Sequence, residues 1–342
     1  MRQKKRAAAL LLSAVMAFSA VSPALPAWAA AWQKNASGSY IGSDGSVLTG
    51  ILSRGVDVSQ WQQNINWSAV AADDIQFAMI GARYNNAVDP YFETNVRGAA
   101  AAGLRVGVYL YSYATTTAMA ESDADFVLNL IKDYPISYPV VLDVEAQEMN
   151  NLTPAQLSDI INAFCKKVET AGYYPMVYTN DYWINNKIDM TKVHYDVWIA
   201  RYDAKPSYQG AAFWQASNQG TVNGISGNVD INFSFKDLSG KLPANRWRLI
   251  GDKWYYYKNY VKQTGWINDG QSWYYLNQDG TQYKGWLLLN NQYYYLLPTT
   301  GQMKTGWLQA EDAWYYLNSD GSMAHDTVVD GYTVDSNGRW VQ

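Results

Sequence analysis

Four acidic residues sit where apolar, strand-forming runs begin or end. Asp143 and Glu145 close the run Tyr138-Pro139-Val140-Val141-Leu142-Asp143-Val144-Glu145. Side chains alternate along a strand, so both carboxyls point to one side. Like charges held together raise at least one pKa, and a carboxyl that keeps its proton near neutral pH can serve as a general acid. Asp57 ends an earlier run in Val56-Asp57-Val58-Ser59-Gln60-Trp61, and Asp230 lies in Asn228-Val229-Asp230-Ile231-Asn232. If the first and last runs are neighbours in a closed barrel, the four acids converge on one mouth. Trp61, Tyr84, Tyr111, Tyr178, Trp198, Tyr202 and Trp214 stand near other run ends and would ring it. Acids facing each other across an aromatic cleft suit glycosidic hydrolysis, which needs a proton donor for the leaving oxygen and negative charge for an oxocarbenium-like state. An Asp-x-Glu pair by itself is more often a solvated face or a calcium or magnesium site, its place after a strand-forming run with Asp57 and Asp230 at matching ends favours chemistry, and each aromatic equally fits packing at a barrel rim.

The elements that would position these acids alternate in type. Strand-like runs occur at Gly55–Val58, Phe77–Arg83, Val106–Tyr111, Pro139–Glu145, Pro175–Thr179, Val197–Arg201, Ala212–Gln215 and Val229–Phe233. Helix-like segments at Phe92–Ala102, Thr117–Lys132 and Pro154–Ala171 separate the earlier ones, the last capped by Thr153 ahead of Pro154. Strand and helix in alternation predict a parallel sheet, and eight strands predict an irregular (β/α) barrel with about five helices, its later helices lost. In such a barrel the chemistry belongs at the carboxyl ends of the strands.

From about Lys241 the pattern changes to Gly-Trp followed by an aromatic cluster. Trp247 and Trp254, Trp266 and Trp273, Trp286 and Tyr293, and Trp307 and Trp314 are each seven apart, and Trp266, Trp286 and Trp307 follow at steps of 20 and 21. A period near 20 predicts an all-β solenoid of hairpins that must stack to bury a face. Two aromatics of one hairpin and one of the next could cage a cation. The expected cages are Trp266 and Trp273 with Tyr294 or Tyr295, and Trp307 with Trp314. None is expected around Tyr293, where Leu296-Leu297-Pro298 interrupts the turn, and the array is expected to fade after Met323.

The 342 residues carry 26 Lys+Arg against 30 Asp+Glu, a net charge of -4, which leaves no basic field for nucleic acid. One cysteine, Cys165, excludes an internal disulfide, and two histidines leave little for zinc, so neither a metal nor a cofactor is expected. Basic residues through Arg6, an apolar run from Ala7 to Val21 and Ala27-Trp28-Ala29 read as a secretion signal rather than a membrane anchor. The expected organisation is a signal over 1–29, a linker over 30–50, the barrel over 51–238 and the repeats over 239–342.

Several motifs occur in order: Arg54-Gly55-Val56-Asp57-Val58-Ser59-Gln60-Trp61-Gln62, Asp89-Pro90-Tyr91-Phe92, Ala102-Gly103-Leu104-Arg105-Val106-Gly107-Val108-Tyr109, Leu142-Asp143-Val144-Glu145, and Trp214-Gln215 with Val229-Asp230-Ile231-Asn232. Together they resemble the family 25 glycoside hydrolases, muramidases of the Chalaropsis lysozyme type, over roughly residues 51 to 236. The resemblance implies hydrolysis of the β-1,4 bond between N-acetylmuramic acid and N-acetylglucosamine in peptidoglycan, with Glu145 as general acid, Asp143 as the partner that stabilises the intermediate, and Asp57 and Asp230 completing an acidic floor. It departs at Val108-Tyr109-Leu110-Tyr111, where Tyr111 stands in place of a histidine. The tail resembles the choline-binding, or cell-wall-binding, repeats of Gram-positive surface proteins, implying attachment to a choline-bearing or other wall polymer outside the cell. A wall-binding adhesin with an inactive barrel is the competing reading, and retention of all four acids counts against it.

Overall fold

The computed structural model describes residues 31–341 apart from 86, 203, 239, 242–244 and 251, so the expected secretion signal lies outside the described residues. Contacts group the chain into two units that part between Leu48 and Thr49. In the first, the described part of the expected linker forms two isolated bridges, Lys34 with Tyr40 and Ile41 with Val47, and Trp32, Tyr40 and Leu48 are buried.

The second unit opens with the barrel. Its elements are β1 (Ser53–Val58), α1 (Trp67–Ala72), β2 (Phe77–Gly81), the short hairpin β3 (Arg83–Tyr84) and β4 (Ala87–Val88), α2 (Phe92–Ala101), β5 (Arg105–Tyr111), α3 (Thr117–Ile131), β6 (Val140–Asp143), α4 (Pro154–Thr170), β7 (Pro175–Asn180), α5 (Asp181–Asn186), β8 (Asp196–Ala200), β9 (Ala211–Gly220) and β10 (Val229–Ser234). Eight strands close in the order β1-β10-β9-β8-β7-β6-β5-β2. All eight expected strands are present. Thr153 caps α4 reciprocally with Gln156, with Pro154 in the first turn, which satisfies amides that would otherwise lack partners.

The all-parallel expectation fails at one strand. β10 runs antiparallel to both β1 and β9. The connection from Gly220 to Val229 is too short for a crossover, which takes a dozen or more residues, whereas a reversal of direction needs only a turn. This reversal matters to the site, because Asp230 is the second residue of its strand. A parallel β10 would put it at the floor of the barrel; the antiparallel one brings it level with Asp57.

Below the mouth the interior is filled by Phe77 and Met79 of β2, Val141 of β6, Met176 and Tyr178 of β7, Trp198 of β8 and Phe213 of β9. Two glycines make room for the side chains of β2. A Cβ on Gly55 would lie 2.4 Å from the Phe77 ring, and one on Gly107 would lie 2.5 Å from Met79 Sδ. Among the described residues no helix is long and apolar enough to cross a membrane.

Hairpins follow: β11 (Asn245–Ile250), β12 (Lys253–Lys258) and β13 (Val261–Lys262); β14 (Gly265–Asn268) and β15 (Trp273–Leu276); β16 (Gly285–Leu289) and β17 (Gln292–Leu296); β18 (Gly306–Ala310) and β19 (Ala313–Leu317); then β20 (Thr327–Val329), β21 (Tyr332–Val334) and β22 (Trp340–Val341). Each turn is tied to the hairpin before it, as in Met303 N to Trp273 O and Met323 N to Tyr293 O, both 2.8 Å. This is the stacked solenoid the period requires, since no hairpin of four- or five-residue strands buries a face alone. The array does not fade after Met323: the last three strands form a further sheet.

Candidate active site

Asp57 and Asp230 are cross-strand partners at the mouth, which sets their carboxyls side by side. Asp57 Oδ2 accepts from Asn232 Nδ2 at 2.6 Å and from Gln215 Nε2 at 2.9 Å, and the same Gln215 amide nitrogen reaches Asp230 Oδ2 at 3.1 Å. The two amides cannot flip. Trp198 Nε1, a donor only, binds Asn232 Oδ1 at 2.8 Å, and the hydroxyls of Tyr178 and Tyr202 donate to Gln215 Oε1 at 2.8 and 3.2 Å. Burial raises the pKa of both acids; the amide donors and Asp230 oppose the rise at Asp57, whereas at Asp230 the Asp57 charge and hydrogen bond add to it. These opposed influences bias a proton shared by the pair toward Asp230 and the charge toward Asp57.

Asp143 ends β6, and Glu145 lies two residues on in the loop. Opposite them in the ring of eight, four places away in either direction, stands β10. Asp143 is buried, and its Oδ1 has no hydrogen-bond partner among the described residues. Burial first, then the charges of Glu145 and Asp57, push its pKa well above the ordinary carboxylate range. Glu145 is less enclosed; burial raises its pKa, opposed by a hydrogen bond from Asn180. Asn180 is fixed for this task, since its Oδ1 caps α5 through Tyr182 N and Trp183 N.

The four acids share one cleft of about 360 Å³, walled by Trp61, Tyr84, Tyr111, Tyr178, Trp198 and Tyr202. Trp61, 73% exposed, meets Tyr84 edge to face at 5.9 Å on the rim. The Tyr111 phenol is pushed up to about 12 by burial and by the charges of Asp143 and Glu145, so it remains a neutral donor. Trp214 does not join the site. It alternates with the inward Phe213 and Gln215, and so packs outside the barrel against Phe233 and Phe235 with Nε1 bonded to Arg201 O at 2.7 Å. The residues that sequence reasoning left without a role are the amides Gln215, Asn232 and Asn180. For the first two a signal existed: each stands two residues from an inward residue, Phe213 or Asp230. Among the described residues no group of three or more His, Cys, Asp or Glu side chains is disposed to hold a metal ion.

The repeats form a second set of sites. Trp266 meets Trp273 at 6.5 Å and Tyr294 of the next hairpin at 5.0 Å. Tyr295 does not enter this group: it is the cross-strand partner of Trp286, 5.0 Å away. The same triad recurs as Trp247 and Trp254 with Tyr274 around about 280 Å³, and as Trp286, Tyr293 and Tyr315, with Trp286 at 6.3 and 4.8 Å from the two tyrosines. Tyr293 thus keeps the geometry in which no cage was expected, because a phenol replaces an indole at the same strand position. Trp307 and Trp314 are completed by Tyr332 and Trp340 around about 330 Å³. Asp269 accepts from Trp247 Nε1 at 2.9 Å and Asp330 from Trp307 Nε1 at 3.2 Å, which places negative charge beside two of the cages.

A barrel whose mouth gathers four carboxyls in unlike surroundings between aromatic walls is the arrangement of a glycoside hydrolase, and the caged hairpins are that of a ligand-binding array. Residues 56–225 match the glycosyl hydrolases family 25, residues 263–307 and 303–340 match choline-binding repeats, and residues 245–259 match a cell wall binding repeat. The chain is 34% identical to the protein YegX of Escherichia coli O157:H7, over 52% of its own length and 68% of that protein. It is 30% identical to lysozyme M1 of Streptomyces globisporus, over 56% of its own length and 70% of the relative. The modular autolysin LytC of Streptococcus pneumoniae, solved with a synthetic peptidoglycan ligand, shares the fold with a TM-score of 0.52 at 23% identity, over 57% of this chain and 49% of that one. The chain belongs to glycoside hydrolase family 25, and with its choline-binding repeats it is a cell-wall hydrolase.

Proposed function

We propose that the protein is a secreted muramidase that cleaves the β-1,4 bond between N-acetylmuramic acid and N-acetylglucosamine, with residues 51–238 as the catalytic part and 239–342 as its wall anchor. The observation that carries this reading is the disposition of carboxyls across one cleft: Asp143 at the end of β6 and Glu145 just after it, facing Asp57 and Asp230 on β1 and β10.

Glu145 is the general acid. Its raised pKa keeps a proton available for the leaving oxygen, and the Asn180 amide steadies the carboxylate left behind. Asp143 holds its proton more tightly than Glu145 among protein groups alone, but a positive centre developing against its partnerless Oδ1 favours the ionised form. Asp57 is oriented by amides that cannot turn and that favour its ionised form, and preorganised charge of this kind stabilises an oxocarbenium-like state without reorganisation. The tyrosines and Trp61 offer apolar faces to sugar rings and hydroxyls to their edges.

The cages take a quaternary ammonium group such as choline on the wall polymer, by attraction between the cation and the faces of the rings. Each added cage raises the local concentration of the enzyme at the wall. Mass analysis of muropeptides released from purified peptidoglycan tests the assignment. New reducing ends on muramic acid are expected; reducing N-acetylglucosamine, or release of peptides without glycan cleavage, would overturn it.

A further inference from the structure

Among the described residues lining the acidic cleft, Arg83 is the single cation, against the carboxyls of Asp57, Asp89, Asp143, Glu145 and Asp230. It follows β2, and β2 lies four places from β8 in either direction around the ring. Arg83 therefore occupies one end of the cleft and Tyr202, after β8, the other, while the acids face each other across the middle.

Its setting is more than a buried ion pair. Arg83 Nη2 donates to Asp123 Oδ1 at 2.8 Å, and the guanidinium lies 4.6 Å over the Phe126 ring. Asp123 is fixed in turn: its other oxygen accepts from Ser112 Oγ at 2.7 Å, and Ser112 Oγ accepts from Ala114 N at 3.1 Å. Bonding to described residues thus uses one of the five N–H donors of a rigid, planar fork. The side chain keeps 14% of its surface, and the residue lines the cleft. Among the described residues no hydrogen bond or ion pair joins it to Asp57, Asp143, Glu145 or Asp230. A cation held rigid in an anionic cleft, with donors to spare and no catalytic carboxyl to serve, is suited to an anion brought by the substrate.

We infer that Arg83 is a specificity-determining residue that binds a carboxylate carried on the muramic acid side arm, at the β2 end of the cleft. The inference rests on the muramidase reading above. Two sources share this chemistry: the free lactyl carboxylate of a strand stripped of its peptides, and a carboxylate within the stem peptide. Neutral strands of the same sugars would lose the contact and gain nothing in its place.

The test uses the full chain and glycan strands in four forms: stripped or stem-bearing, each with carboxylates free or converted to methylamides with carbodiimide and methylamine. Wild type is expected to favour the free-acid form of at least one kind of strand by roughly ten- to hundred-fold in kcat/KM, the range of a charge-assisted hydrogen bond. Arg83→Gln is expected to bring that ratio to about one, and the strand on which the ratio collapses names the source of the carboxylate. Should Arg83→Gln fail to fold, the pair Arg83→Gln with Asp123→Asn, which leaves no buried carboxylate without its cation, carries the same ratio. A wild-type ratio near one on both kinds of strand, or a ratio unchanged in the variant, overturns the inference. Wild type releasing no muramic acid reducing ends from any strand would instead overturn the muramidase reading.

Discussion

At the scale of single residues, the site is a set of carboxyls made different by their surroundings. Asp143, enclosed and beside Glu145, has a folded-state pKa well above its unfolded one. A group raised in this way contributes stability that is complete below the ordinary aspartate value and is lost as pH rises through the folded value, because the buried carboxyl must then ionise. Asp143→Asn removes the ionisation and keeps the shape. Its melting temperature is expected to gain on wild type as pH rises above the ordinary aspartate value, the stability difference growing by up to about 1.4 kcal/mol for each step of one in pH until the folded value is reached; scanning calorimetry against pH measures it. The acids were legible in the sequence because a carboxylate at the end of an apolar run has few structural uses. The amides were not, since Gln215 and Asn232 have no titratable signature and their role depends on which acid and which donor lie within reach. Trp214 was misread for a simpler reason: it neighbours Gln215, and neighbours on a strand face opposite ways.

At the scale of elements, the β-branched and aromatic runs marked all eight strands, but nothing in an alternating pattern encodes direction. The reversal of β10 was written only in the length of the loop before it. That reversal assembles the Asp57, Asp230, Asn232 and Gln215 network, and Asn232 is its hinge point, accepting from Trp198 and donating to Asp57. Asn232→Leu keeps the volume while leaving Trp198 Nε1 buried without a partner and Asp57 with Gln215 as its remaining amide donor, at about 1–3 kcal/mol for each bond lost. Urea unfolding is expected to show a loss of about 2–5 kcal/mol, with turnover on peptidoglycan reduced about ten-fold or more. An unchanged unfolding midpoint would show that the network does not hold Asp57. In the repeats, the period of 20 marked the hairpins, whereas the sheet beyond Met323 escaped notice because its aromatics, Tyr332 and Trp340, have lost the Gly-Trp signature while keeping their place beside Trp307.

At the scale of the whole molecule, the array meets the barrel away from its mouth. Arg248 Nη1 donates to Gly172 O at 2.6 Å, and a Cβ on Gly172 would lie 2.4 Å from Ile250 Cδ1. Gly172 falls between α4 and β7, at the amino end of that strand, so the first hairpin of the array joins the barrel at the end opposite the cleft. Removing two half-exposed cage walls with Trp273→Ala and Trp314→Ala is expected to reduce retention on a choline-bearing support more than either change alone, each ring contributing about 0.5–2 kcal/mol. Turnover of short soluble strands is expected to stay as in wild type, while release from intact walls falls. Affinity chromatography and paired assays on the two substrates separate these outcomes.

The central claim is that the carboxyls gathered at this mouth break a glycan bond with Glu145 as proton donor. Release of reducing ends from purified peptidoglycan by Glu145→Gln, with its circular dichroism and melting temperature matched to wild type, measures this most directly. A fall of about 10²- to 10⁴-fold, the contribution of a positioned general acid, is the expected result; release at the wild-type rate from the folded variant would contradict it.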